Sequence, residues 1–91
     1  MSTAEADVDI FDPPRFSLGA RVRAVRQIRN DGTFPGRAVG EVLVCRGEEG
    51  YVRDIGSFLQ RHWVYAVDFI DRRAVVGMRG REIAAAADER P

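Results

Sequence analysis

Glycine and proline punctuate this chain densely, and no uninterrupted helical pattern of 12 residues runs between them. Breakers fall at Gly19, Gly32, Pro35-Gly36, Gly40, Gly47, Gly50, Gly56, Gly77 and Gly80. Inside a helix each glycine costs about 1 kcal/mol relative to alanine, and each proline about 3 kcal/mol. Short strands joined by turns absorb the same spacing without that cost. An all-β fold is therefore expected.

The runs between the breakers carry strand signals. Arg21 to Ile28 (RVRAVRQI) sets Val22, Ala24 and Val25 among arginines, and its alternation slips at Ala24-Val25, predicting a bulge or strong bend. Glu41 to Arg46 reads as a short strand, with Gly47-Glu48-Glu49-Gly50 as the turn after it. Gly50 to Ile55 reads as another, Val52 on one face and Tyr51 and Arg53 on the other. Trp63 to Ile70 (WVYAVDFI) is the strongest strand in the chain, aromatic and β-branched throughout. Alternation sets Trp63, Tyr65, Val67 and Phe69 on one face, opposite Val64, Ala66, Asp68 and Ile70. Asp71-Arg72 predicts a tight hairpin into a strand over Arg73 to Met78, and GREI then tucks Ile83 against the sheet. About five short strands with a long loop after the first suggest a small SH3-like barrel, which closes its own edges. The expected core is Val22, Val25, Val52, Tyr65, Val67, Phe69, Val75 and Ile83.

Composition narrows the function. The 91 residues make one domain, and 45% apolar content is enough for one core. That domain is expected over 15–83, between an acidic flexible tail at 1–14 and a short flexible tail at 84–91. No run approaches the roughly 20 apolar residues that span a bilayer, and the N-terminus lacks a basic, apolar leader. A soluble, cytoplasmic protein with no membrane partner is expected. Cys45 is the sole cysteine and His62 the sole histidine, so no internal disulfide and no multi-ligand zinc or iron–sulfur site fits within one chain. No metal and no cofactor are expected. Cys45 reads as a half-buried strand residue, the alternative being a transient thiolate helped by Arg46. No paired carboxylates, nucleophile beside a base or phosphate-cradling loop can be placed. The chain is read as a non-enzyme without catalytic residues.

The stretch IRNDGTFPG, Ile28 to Gly36, turns twice where a two-residue hairpin would suffice. Between the turns stands Phe34, biased toward extended backbone by Pro35 and flanked at a distance by Arg29 and Arg37. Interfaces favour rigid aromatic anchors with arginine neighbours, so the loop reads as a recognition surface displaying Phe34. The simpler alternative is a long connector. Ile55 to Gln60 (IGSFLQ) forms a second apolar patch on a loop, in which Phe58 or Leu59 caps the barrel and Gln60 joins the surface.

Taken together, these stretches resemble the NifZ family of nitrogen-fixation proteins. The resemblance lies in IRNDGTFPG (28–36), GEEGYVRDIG (47–56), FLQ (58–60), VYAVDF (64–69) and VGMRGREI (76–83), and covers roughly residues 15–83. It implies an assembly factor or chaperone that helps mature the P-clusters of an immature nitrogenase molybdenum–iron protein, alongside the iron protein. On that basis the partner-binding set is Arg29, Asn30, Asp31, Phe34, Arg37, Tyr51, Arg53, Phe58 and Gln60.

A nucleic-acid-binding barrel is the alternative from another class. Residues 15–83 carry 13 arginines against 8 acids, and the chain has no lysine. The acids are interleaved with the arginines, which makes a weak footprint for phosphate, and nucleic acid is not the expected partner. Arginine forks suit carboxylates at protein interfaces, although an all-arginine composition also follows from a GC-rich genome.

Overall fold

The structure, a computed structural model, describes residues 13–58 and 61–86. Seven strands follow in chain order: β1 (Arg21–Ala24), β2 (Ile28–Arg29), β3 (Val42–Val44), β4 (Glu49–Phe58), β5 (His62–Phe69), β6 (Ala74–Arg79) and β7 (Ile83–Ala85). Two single turns of 3₁₀ helix, Ile70–Arg72 and Gly80–Glu82, are the only helical segments among the described residues. Five strands form one antiparallel sheet in the order β6-β5-β4-β1-β7, and β2 pairs with β3 in a separate ribbon. The all-β expectation holds, but the sheets do not close on themselves, so the barrel expected from the sequence is not seen. The ribbon covers the apolar face instead: Leu43 and Val44 are buried in one cluster with Val22, Val52, Tyr65, Val67, Phe69 and Ile83.

Alternation along β5 is as the sequence predicts, with Tyr65, Val67 and Phe69 buried and Trp63 packed against the same cluster. Each such side chain stabilises the fold by about 1.5–3 kcal/mol when fully buried. Tyr65 places its hydroxyl under the Arg15 N–H at 2.9 Å and meets the Phe16 ring edge-on at 5.4 Å. Phe16, Ala24, Leu43, Val44, Ala74, Val76, Met78 and Ala86 complete the core and were missing from the sequence-based set.

Two members of that set are misplaced. Val25 is 36% exposed because the chain bends sharply after Ala24, at the slip in alternation, and its N–H turns to the Glu82 carbonyl. Val75 is 39% exposed because β6 pairs it with Asp68, on the outer face. The hairpin is also wider than expected: residues 70–73 form the turn, with Arg73 left-handed at φ 54° and its N–H bonded to the Ile70 carbonyl.

β4 is longer than predicted and runs past Ile55 through Gly56 to Phe58, part of the stretch that the sequence reading placed on a loop. Gly56 reads as a breaker, yet it pairs with Val64 and a Cβ there would meet nothing within 4 Å. At the other end Gly50 belongs to β4, not to the preceding turn. A Cβ at Gly50 would stand 2.5 Å from the Asp68 carbonyl oxygen, so β4 and β5 approach there as only glycine permits. A bulge leaves Arg53 unpaired between Val52 and Asp54. β7 runs from Ile83 to Ala85, and Ala86 after it is buried. The acidic stretch 1–12, Leu59, Gln60 and residues 87–91 lie outside the described residues, as do the flexible-tail expectations for them.

Candidate recognition groove and its braced loop

Asn30 is the residue on which the 30–41 loop is built. It is 2% exposed, and its side-chain amide is used in full by loop backbone. Its Oδ1 accepts from the Gly32 and Phe34 N–H groups at 2.9 and 3.1 Å. Its Nδ2 donates to the Phe34 and Arg37 carbonyls at 3.1 and 2.9 Å. The backbone of Asn30 closes the loop base, its N–H donating to the Glu41 carbonyl and its carbonyl accepting from Gly40 N–H. Gly32 takes φ 106°, a conformation that side chains rarely adopt, to complete the first turn. The sequence reading placed Asn30 on the binding surface; the structure places it inside the loop, as a brace.

Around that brace the loop carries its own polar scaffold. The Asp31 carboxylate accepts from the Thr33 hydroxyl at 2.7 Å and the Thr33 N–H at 3.1 Å, which holds its pKa below the ordinary value. Arg29 donates to the Gly40 carbonyl at 2.8 Å, and Arg37 reaches Glu41 at 3.4 Å. The Arg37 guanidinium lies 5.8 Å from the Phe34 ring centroid, within cation–π range. Phe34 itself is half-buried against the core cluster and not fully displayed, because the Asn30 amide draws the loop inward.

One side of this loop faces the sheet across an open groove of about 830 Å³. Arg26, Arg29, Asp31 and Phe34 line it together with His62, Val64, Val75, Gly77, Arg79 and Glu82. Arg29, Asp31 and Phe34 are thus brought together, with Arg37 stacked on Phe34. Tyr51 and Arg53 are not among the groove residues; both are exposed on β4, where Arg53 pairs with Asp68 at 3.7 Å. Phe58 is a strand residue, and Gln60 lies outside the described residues. Sequence reasoning missed Arg26, His62, Arg79 and Glu82. A signal for Arg79 existed, since the Asp71-Arg72 hairpin aligns it with Val64.

Cys45 sits apart from the groove. The cation on its sulfur is Arg72 and not the adjacent Arg46: Arg72 Nη2 donates to Sγ at 3.2 Å while Nε donates to Glu48 at 2.9 Å. Burial alone would raise the Glu48 carboxyl, but the Cys45 N–H and the Arg72 guanidinium outweigh it and leave its pKa below the ordinary 4.5. A lowered folded-state pKa adds stability above the unfolded value, and that stability is lost as pH falls through the folded value. Urea midpoints should therefore fall in acid below about pH 4.5, and less steeply for Glu48→Gln than for the parent. Identical pH slopes would show that the cluster contributes nothing to acid stability.

Among the described residues no group of three or more His, Cys, Asp or Glu side chains is placed to hold a metal ion. No helix among them is long and apolar enough to cross a membrane. Fold and groove together define a small antiparallel β domain that sets a braced loop beside the edge of a sheet. The family model described as the NifZ domain matches residues 13–85. Similar proteins bearing the NifZ name include one from Sinorhizobium fredii, 57% identical over 87% of this chain and 73% of its own length. Another, from Rhodobacter capsulatus, is 44% identical over 86% of this chain and its own full length. A third, from Azotobacter vinelandii, is 42% identical over 81% of this chain, which spans 46% of that longer protein. No solved structure gives a significant match. The chain belongs to the NifZ family, and so to the proteins of nitrogen fixation.

Proposed function

We propose that this chain is a non-enzymatic accessory protein of nitrogenase assembly. On this reading it binds an immature molybdenum–iron protein, alongside the iron protein, and aids maturation of its P-clusters. Family membership supports the setting. The observation that carries a binding role is the braced loop: Asn30 commits its whole amide to the backbone of Gly32, Phe34 and Arg37, and the Arg37 guanidinium lies over the Phe34 ring. A loop held this rigidly loses little conformational entropy when a partner docks. Arg29, Asp31, Phe34 and Arg37 are the assigned contact residues, with Asn30 positioning them.

A binder of this kind acts by preferring one state of its partner. It shifts the balance between immature and mature forms only by its difference in affinity, tenfold for every 1.4 kcal/mol or so. Anaerobic co-purification of the tagged chain with P-cluster-deficient and mature molybdenum–iron protein tests this. Preferential capture of the deficient form is the expected result; equal capture would remove the chaperone role, and no capture would remove the partner. Phe34→Ala should weaken capture by about 1–3 kcal/mol. Because Phe34 also packs on the core, the exposed Arg29→Glu serves as a second variant, and unchanged capture by both would clear the groove of the role.

A further inference from the structure

β6 ends the five-stranded sheet on the side away from β7. An antiparallel edge strand turns part of its backbone N–H and C=O groups away from its one neighbour, where they template a further strand. Proteins blunt such edges by making them short, bulged, proline-bearing or charged inward. β7 is short, at three residues. β6 is neither short, bulged nor proline-bearing: it runs six residues in unbroken register with β5, exposes Val75, and carries its single charge, Arg79, at its last position. Its residues Val75 to Gly77 line the groove together with Arg29 and Phe34.

The charges of the groove say what kind of strand fits. Arg26, Arg29 and Arg79 line it, and its two acids are engaged within the wall. The Asp31 carboxylate accepts from Thr33, and the Glu82 carboxylate accepts the Arg79 N–H at 2.9 Å. Among the described residues neither Arg26 nor Arg29 is paired with a carboxylate.

We propose that β6 receives an added strand from a partner protein, an extended segment in which acidic and apolar residues alternate. Backbone hydrogen bonds to β6 supply affinity, and the period of two supplies specificity. The apolar set of alternate side chains packs on Val75, which shares its face of β6 with Gly77 and Arg79, and the acidic set turns to the loop side of the groove, where it meets Arg26 and Arg29. The inference rests on protein binding at the groove, as proposed above, but is independent of which protein binds.

The test uses the full chain and a labelled peptide of alternating aspartate and valine, with a lysine–valine peptide as control. Fluorescence anisotropy at low salt should show binding of the aspartate peptide at least about tenfold tighter than the control, weakened as much by Arg26→Glu and by added salt. Hydrogen exchange should show new protection at the β6 amides when peptide is present. Equal binding of both peptides, no binding, or protection confined elsewhere would each overturn the proposal. So would binding seen only in a full-length variant carrying Glu5→Gln, Asp7→Asn, Asp9→Asn and Asp12→Asn, since that would assign the edge to the chain's own acidic stretch. Capture of nitrogenase protein without peptide binding would leave the assembly reading standing and remove this one.

Discussion

Asn30→Ala is expected to cost about 2–3 kcal/mol of stability and to release the loop from 30 to 41. The substitution removes two donors and one doubly used acceptor, and four backbone groups of the loop lose their partner together. The backbone bonds at the loop base remain, so the sheet should survive while Phe34 and Arg37 lose their fixed relation. Asn30→Asp discriminates shape from chemistry. It keeps the outline but turns an acceptor toward the Phe34 and Arg37 carbonyls, so it should destabilise at neutral pH and recover in part as the new carboxyl is protonated. Urea midpoints at two pH values, with loop amide exchange, measure both effects. Stability within about 0.5 kcal/mol of the parent for Asn30→Ala would mean that water replaces the amide, and the loop is not braced as described.

Gly50→Ala is the second large effect, at about 3 kcal/mol. The added Cβ would meet the Asp68 carbonyl oxygen at 2.5 Å and Val67 Cγ1 at 2.8 Å. The carbonyl belongs to the partner strand and cannot rotate aside like the end of a long side chain. Relief requires β4 and β5 to separate where Tyr51 pairs with Asp68 and Val52 with Val67. Gly56→Ala is the internal control, on the same strand with open space around its Cβ position, and should change stability by no more than about 0.5 kcal/mol. Similar denaturant midpoints for the two variants would refute the close-approach argument.

How much of this was legible in the sequence varies by element. β5 was plain because one face carries Trp63, Tyr65, Val67 and Phe69 while the other is broken by Ala66 and Asp68, so the larger apolar face marks the core side. Val75 was also legible and was missed: a hairpin at Asp71-Arg72 sets it opposite Asp68, and cross-strand neighbours share a face. Phe16 was not legible, because a lone aromatic after two prolines carries no periodicity, and only Tyr65 makes its burial necessary. The loop announced itself as unusual through its two turns, yet Asn30 there reads equally as a surface amide or an internal brace. That choice depends on where the carbonyls of Phe34 and Arg37 fall, which only the folded loop determines. The groove needed tertiary structure, since its walls come from sequence segments some forty residues apart.

The position of β1 has a kinetic consequence. Its neighbours in the sheet are β4, with Arg21 opposite Tyr51, and β7, with Arg23 opposite Ala84. The β4–β5–β6 meander closes through local turns and can form early. The first strand must wait for partners far along the chain, and such distant pairings place small β proteins among the slower two-state folders, in milliseconds to seconds. During synthesis, a nascent chain that has released β6 but not β7 still carries β1 with one flank open. For that interval a protein read here as a helper in assembly would itself be a candidate for another helper.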